Sequence, residues 1–321
     1  MTNRSLTGPS FVAGGNLPHL VAEMGAAGRF AWEEFFQAGI RNAHTRAAYL
    51  LAVRRFLTWC EKQGIELRQV TPGHLGAYFN DHPGSIPTKK QHLAAIRGLY
   101  DTLVLRHVAV LNPAASVRLE RYQVIEGKTP EITVAQARSL LSSIDTSNVV
   151  GLRDRMAIAL LIYTAARVGA VAKLRVGDFE HDGAQFVLRF QEKGGKSREI
   201  PVRHDLEQCI LSYLDAAGLR DAPKESPLLH SAMKKTKRLT EKPMTGVYLG
   251  GMLKRRLKDA GLPSRLSPHS FRVATITDLL TQGVPLEEVQ YLAGHADPRT
   301  TRLYDRRQKR VTRNIVERIS I

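Results

Sequence analysis

Apolar residues recur at every third and fourth position from Trp32 to about Leu111, and the pattern then lapses between Asn112-Pro113 and Thr129-Pro130 before a second periodic region begins. Such a break divides the chain into two mainly helical blocks, because a 3.6-residue period builds amphipathic helices and a charged, aperiodic stretch builds none. In the first block the clearest helix is Thr45 to Gln63. Tyr49, Val53, Phe56, Leu57 and Cys60 form its apolar face, Arg46, Arg54, Arg55 and Lys62 add positive charge, and Gly64 ends it. Thr71-Pro72 reads as a cap followed by a first-turn proline, opening a helix towards Phe79. A fourth helix follows Pro87, with Leu93, Ile96, Leu99, Tyr100 and Leu103 inward and Lys89, Lys90 and Arg97 among its charges. Four short helices of this kind make a small basic bundle. Residues 1–27, rich in Gly, Ser, Asn and Pro, read as a loose arm.

Arg118, Glu120, Arg121, Glu126 and Lys128 mark the aperiodic stretch as a linker. Beyond it Thr133 to Gln136 has the form of a capping box, and Met156 to Tyr163 is apolar enough to be a buried helix. The period then shortens. Phe186 to Phe190 and Arg198 to Val202 flank Lys193-Gly194-Gly195-Lys196, a β-hairpin pattern, with Asp178 to Glu180 as a third short strand. Helices resume near Leu206 and continue to the end. The expected fold is mainly α with a small antiparallel β-sheet. Its expected segments are an arm over 1–27, a helical domain over 28–115, a linker over 116–130, a second domain over 131–304 and a tail helix over 305–321.

Charge narrows the class of partner. Forty-seven Lys and Arg stand against 30 Asp and Glu among 321 residues, a formal net charge of +17, which favours a polyanion such as nucleic acid. No apolar run is long enough for a membrane helix, and Met1 to Phe11 lacks the basic-then-apolar pattern of a signal peptide, so a cytoplasmic protein is expected. Cys60 and Cys209 suggest neither a disulfide nor a zinc site.

The chemistry concentrates in the last quarter. Ser267-Pro268 starts a helix whose opening turns hold His269 and Arg272 on one face, where free amides, the helix dipole and a planar guanidinium suit a phosphate. Pro285 opens a short helix closed by Gly294, with His295 at its exit; Asp297-Pro298 starts the next, placing Tyr304 in its second turn. Arg299, Arg302, Arg306, Arg307, Lys309, Arg310 and Arg313 crowd that segment, and cationic neighbours favour the phenolate. Further on, Val311, Ile315 and Ile319 give the tail a short apolar face.

Taken together, Arg167, Lys193, His269-x-x-Arg272, Gly294-His295 and Tyr304 resemble the tyrosine recombinases, the phage- and plasmid-type integrases and chromosome-dimer resolvases. Asn42 to Tyr49 and Ser197 to Val202 extend the resemblance over about residues 30–315. It implies an N-terminal four-helix core-binding (SAM-like) domain and a tyrosine-recombinase catalytic domain, closing on duplex DNA as a C-shaped clamp. Site-specific recombination is implied, as integration, excision or resolution. Arg167 and Arg272 would clamp the scissile phosphate, and Tyr304 would attack it to give a 3′-phosphotyrosine. Lys193, or Lys196 on the same turn, would protonate the leaving 5′-oxygen. His269 would assist proton transfer and His295 would hydrogen-bond the phosphate.

Arg46, Arg54, Arg55, Lys89, Lys90, Arg97 and Lys196 are the expected DNA contacts. The implied partners are double-stranded DNA with inverted-repeat half-sites, three further copies in a homo-tetramer with an exchanged tail helix, and accessory DNA-bending or directionality proteins; the implied setting is the bacterial nucleoid. No cofactor or metal is expected. The chain departs from the family at Ala165-Ala166, Ala170 and Val273, around the site. A type IB topoisomerase-like relaxing enzyme would share the chemistry, and a non-catalytic basic DNA-binding protein would share only the charge.

Overall fold

Helix formation begins earlier than the periodicity suggests. The computed structural model describes residues 17–122, 129–191, 197–234 and 236–305, and divides the chain into units over Met1–Gln123 and Val124–Ile321. In the first unit α1 (His19–Ala22) already buries Leu20 and Val21, and α2 (Gly25–Glu33) buries Trp32, so the expected loose arm is helical in its described part. A four-residue helix is too short to display a period. The chain continues through a π-turn (Glu34–Gly39) into α3 (Ala43–Gln63), then α4 (Pro72–Asp81) and α5 (Ile86–Leu105). The Asn42 side chain accepts from the His44 and Thr45 amides at 2.9 and 3.2 Å and so caps α3; Thr71 and His74 form a capping box on α4. At 21 and 20 residues, α3 and α5 are the longest helices described, and α3 starts two residues before the expected Thr45. They pack along one another, with α2 against α5, around Trp32, Phe36, Val53, Phe56, Leu75, Ile96 and Leu99.

Two features of this unit bear on function. Several cations expected on DNA also brace the chain: Arg46 donates to Ile40 O at 3.1 and 2.7 Å, Lys89 to Phe79 O at 2.7 Å, and Arg97 to Ala114 O at 3.0 Å and Val117 O at 3.3 Å. The last contacts, with Val117 and Leu119 packed on the core, show that the start of the expected linker belongs to this unit. Arg54 is half-buried, while Arg55 and Lys90 are exposed. Behind them, Tyr78 Oη and His82 Nε2 converge on Nδ1 of buried His92 at 3.1 and 3.2 Å, and burial pushes His92 down to about 4.

The second unit is built on α7. Thr133 and Gln136 form a capping box on α6 (Val134–Ser142), and Asn148 accepts from the Gly151 amide at 3.1 Å to start α7 (Val149–Thr164). A Cβ at Gly151 would meet Asp145 O at 1.7 Å, so no larger residue fits there. Met156 to Leu161 are buried as expected, and α8 (Val168–Val171) follows. Strands β1 (Phe179–His181), β2 (Phe186–Gln191) and β3 (Ser197–Pro201) form an antiparallel sheet in that order, with Phe190 opposite Arg198. After α9 (His204–Ala217) the chain does not stay helical: β4 (His230–Ala232) pairs antiparallel with β5 (Leu239–Pro243). These polar strands lack the apolar alternation that marks a strand in sequence.

Helices α10 (Gly246–Asp259), α11 (Pro268–Thr281), α12 (Leu286–Ala293) and α13 (Pro298–Arg302) complete the described residues. Buried Asp154 ties α7 to α10 by accepting from Arg153 and Arg256, while Arg153 also donates to His230 O at 2.9 Å. No helix among the described residues is long and apolar enough to cross a membrane.

Candidate active site on the second unit

Helix α7 ends at Ala165, which is buried and holds a left-handed φ of 49°. That turn aims its carbonyl at α11, where it accepts from Nη1 of Arg272. Arg272 is 2% exposed, a buried cation anchored on main chain as well as turned towards the site. Two residues beyond Ala165, exposed Arg167 precedes the first residue of α8, and its Nη1 lies 3.5 Å from Gly294 O. Two guanidinium groups from distant parts of the sequence therefore flank one region.

Ser267 and Ser270 form a capping box at the start of α11, fixing the turn that carries His269 and Arg272. His269 Nε2 is 3.3 Å from Tyr304 Oη. Although His269 reaches solvent, partial burial and then Arg272 and Arg167 lower its pKa, so it stays neutral and available as an acceptor near pH 7.

His295 is placed by its backbone. Gly294 ends α12 with φ 62°, a conformation that glycine adopts without steric cost. The His295 amide donates to Gln290 O at 3.1 Å, and Gln290 Nε2 donates to His295 O at 3.0 Å. Its ring is 6% exposed, lies 2.9 Å through Nδ1 from Thr301 Oγ1, and stacks on Tyr304 with centroids 5.9 Å apart at 7°. Burial, followed by Arg272, Arg167, His269 and Arg198, pushes it down to about 3. Burial and its cationic neighbours therefore favour the neutral ring.

Tyr304 lies in the turn after α13 rather than in a second helical turn, because the helix stops at Arg302 and the Tyr304 amide closes a tight turn onto Thr301 O at 3.0 Å. It packs against the small apolar cluster formed by Ala165, Ile276, Leu280, Val289 and Ala293. This packing corrects the expected phenolate. Burial raises the Tyr304 pKa, and the opposing pull of Arg272 and Arg167 is the smaller effect. The group is a phenol at neutral pH, hydrogen-bonded to an imidazole that can take its proton. Arg299, one of the cations expected to act on it, is paired with Asp297 at 2.9 Å.

Arg167, His269, Arg272, His295 and Tyr304 thus converge from α7–α8, α11, α12 and the turn after α13. Lys193 and Lys196 lie outside the described residues, between the ends of β2 and β3, as do Arg306, Arg307, Lys309, Arg310, Arg313 and the tail. Two neighbours of the site had not been singled out. Arg198, 4% exposed and 5.0 Å from the Phe190 ring, shares the inward face of β3 with Ile200, and a cation at an inward position of an alternating strand was the signal. Thr301 carries no such mark. The arrangement offers a phosphate two guanidinium groups, one neutral imidazole and a phenol whose proton has an acceptor.

Residues 130–310 match the profile of the phage integrase family. Over 219 residues the chain is 34% identical to tyrosine recombinase XerC of Herpetosiphon aurantiacus, covering 68% of each protein. Over 290 residues it is 27% identical to tyrosine recombinase XerD of Vibrio cholerae serotype O1, covering 89% of this chain and 92% of that one. In fold it is similar to the XerH site-specific recombinase bound to a palindromic difH substrate in a post-cleavage complex, with TM-score 0.66, 20% identity and coverage of 82% and 77%. It is also similar to a lambda integrase tetramer bound to a Holliday junction, with TM-score 0.65, 15% identity and coverage of 89% and 79%.

Proposed function

Since the chain belongs to the phage integrase family, we infer that it carries out site-specific DNA recombination, cutting and rejoining strands through its own tyrosine. Arg167 and Arg272 hold the non-bridging oxygens of the scissile phosphate and stabilise the charge that grows on them in the pentacoordinate transition state. Tyr304 Oη attacks phosphorus as its proton passes to His269. The P–O bond to the 5′-oxygen breaks, a 3′-phosphotyrosine forms, and Lys193 or Lys196 gives the leaving oxygen a proton. His295 donates to a phosphate oxygen. Attack by the 5′-hydroxyl of a second duplex reverses each step, so the phosphodiester is conserved without an outside energy source or a metal ion.

The observation that carries this reading is the 3.3 Å contact between Tyr304 Oη and His269 Nε2, beside two guanidinium groups. We take the partner to be duplex DNA with inverted half-sites, bound by four protomers whose tails over 305–321 pass between neighbours. Accessory DNA-bending or directionality proteins belong to the same proposal, as does a setting in the bacterial cytoplasm on the nucleoid. The helical domain over 28–115 would grip the DNA from one side and the catalytic domain over 131–304 would cut it.

A supercoiled plasmid bearing two copies of a site selected from a randomised duplex library tests the function. In EDTA and without nucleotide, the protein should yield exchanged products. Relaxation without exchange would favour a relaxing enzyme, and strict dependence on a divalent ion would contradict the mechanism.

A further inference from the structure

Thr301 is fully buried, and its two polar groups point to two different parts of the site. The hydroxyl lies 2.9 Å from His295 Nδ1, and the carbonyl accepts the Tyr304 amide at 3.0 Å. One residue therefore touches the imidazole through its side chain and the nucleophile's turn through its main chain. A neutral imidazole has one donor and one acceptor nitrogen, and the partner of either nitrogen decides which is which. With Thr301, two states are open. Either the hydroxyl donates to Nδ1 and Nε2 carries the proton, or Nδ1–H donates to the hydroxyl and Nε2 is bare. Phosphodiester oxygens are acceptors only, so a bare Nε2 would repel them and a protonated one would bind them.

We propose that Thr301 is a positioning residue for strand cleavage: its hydroxyl donates to His295 Nδ1 and fixes the tautomer whose Nε2–H faces the DNA phosphate. The proposal rests on His295 acting as a phosphate donor, as above.

The surroundings leave this task to Thr301. Gln290 fixes the His295 backbone but does not orient the ring, and the Tyr304 ring stacked on it supplies no hydrogen bond to a nitrogen. The groups that lower the imidazole pKa by charge are Arg272 from α11, Arg167 at the start of α8, His269 and Arg198 from β3, and the Tyr304 phenol stacks on the ring. All are cations or neutral, so none stabilises an imidazolium and the Thr301 bond is made to a neutral ring. A structural consequence follows. Moving the α13 turn displaces Tyr304 and releases the His295 tautomer together, so a protomer with that turn unseated loses its nucleophile and a phosphate donor in one step.

Thr301→Val keeps the shape and removes the hydroxyl; Thr301→Ser keeps the hydroxyl. In full-length protein labelled with ¹⁵N-histidine, with His295 assigned through His295→Gln, long-range ¹H–¹⁵N spectra should show Nε2–H in wild type and Thr301→Ser, and a mixed or reversed tautomer in Thr301→Val. On a nicked suicide substrate, Thr301→Val should slow adduct formation by roughly ten- to a hundredfold, by analogy with loss of the partner that orients a metal-bound histidine. DNA affinity should not change, and Thr301→Ser should cleave at close to the wild-type rate. In a His295→Gln background, Thr301→Val should cause no further loss. Nδ1–H in the wild-type spectrum, or an equal loss with and without His295, would overturn the proposal. Failure of the wild-type protein to form any adduct would instead refute the proposed reaction, and the tautomer, read without DNA, separates the two failures.

Discussion

Two arginines of the site have the same proposed role and opposite settings. Arg272 is buried and donates to Ala165 O, whereas Arg167 is exposed. Either change to alanine should slow cleavage by about two to three orders of magnitude, about 3–4 kcal/mol of transition-state stabilisation. Arg272→Ala should also lower the unfolding temperature, and by more than Arg167→Ala, because it leaves a buried carbonyl without its donor, a loss of about 1–3 kcal/mol. Single-turnover cleavage and thermal unfolding measured side by side separate the two effects. The buried histidines predict a pH dependence. His295 and His92, held at about 3 and about 4, are neutral in the folded protein, while the unfolded chain takes up protons below about pH 6.5. Their contribution is full above pH 6.5 and is lost as pH falls towards 4 and then 3, by up to about 1.4 kcal/mol per pH unit for each. Denaturant unfolding between pH 7 and 4 should show that slope, and His295→Gln should reduce it by the His295 share while leaving that of His92.

At the scale of elements, the turn from α12 to α13 decides the site. Gly294→Ala at φ 62° should cost about 1 kcal/mol of stability, yet reduce cleavage more than that loss of folding explains, because the same turn sets His295. Arg97→Ala should destabilise the first unit itself, since this side chain ties Ala114 and Val117 to α5, and a lower unfolding midpoint would check it. How far the sequence could be read follows from the size of the signal each element carries. Helices α3 and α5 were legible because each repeats its apolar face over several turns, and α7 because Met156 to Tyr163 is an almost unbroken apolar run. The pairing of β2 with β3 was legible through the Gly194-Gly195 pair in the sequence between them and the flanking alternation. Helix α1 and strands β4 and β5 were not, being short or polar. His269, Arg272, His295 and Tyr304 could be picked out from caps and prolines that fix their turns. The Tyr304 pKa could not, because its direction depends on burial against an apolar cluster whose members, from Ala165 to Ala293, come from distant parts of the sequence.

For the whole molecule, the +17 charge sets how binding responds to salt. Affinity should fall steeply as salt rises, by a slope of about −0.9 per neutralised phosphate. Lys90→Ala and Arg55→Ala should each reduce that slope by about one, since both side chains are exposed. Arg46 and Lys89, already bonded to Ile40 and Phe79 carbonyls, should affect stability as well as binding. Deleting residues 314–321 should leave single half-site binding intact while reducing synapsis and recombination, as measured by band-shift and two-site exchange. The proposed reaction, unlike binding, depends on one covalent bond. A nicked suicide duplex incubated with the protein, then digested and analysed by mass spectrometry, tests it directly. The account predicts a nucleotide joined through its 3′-phosphate to the peptide containing Tyr304, and no adduct from Tyr304→Phe although that variant still binds DNA. An adduct on another residue, or one of unchanged yield in Tyr304→Phe, would contradict it.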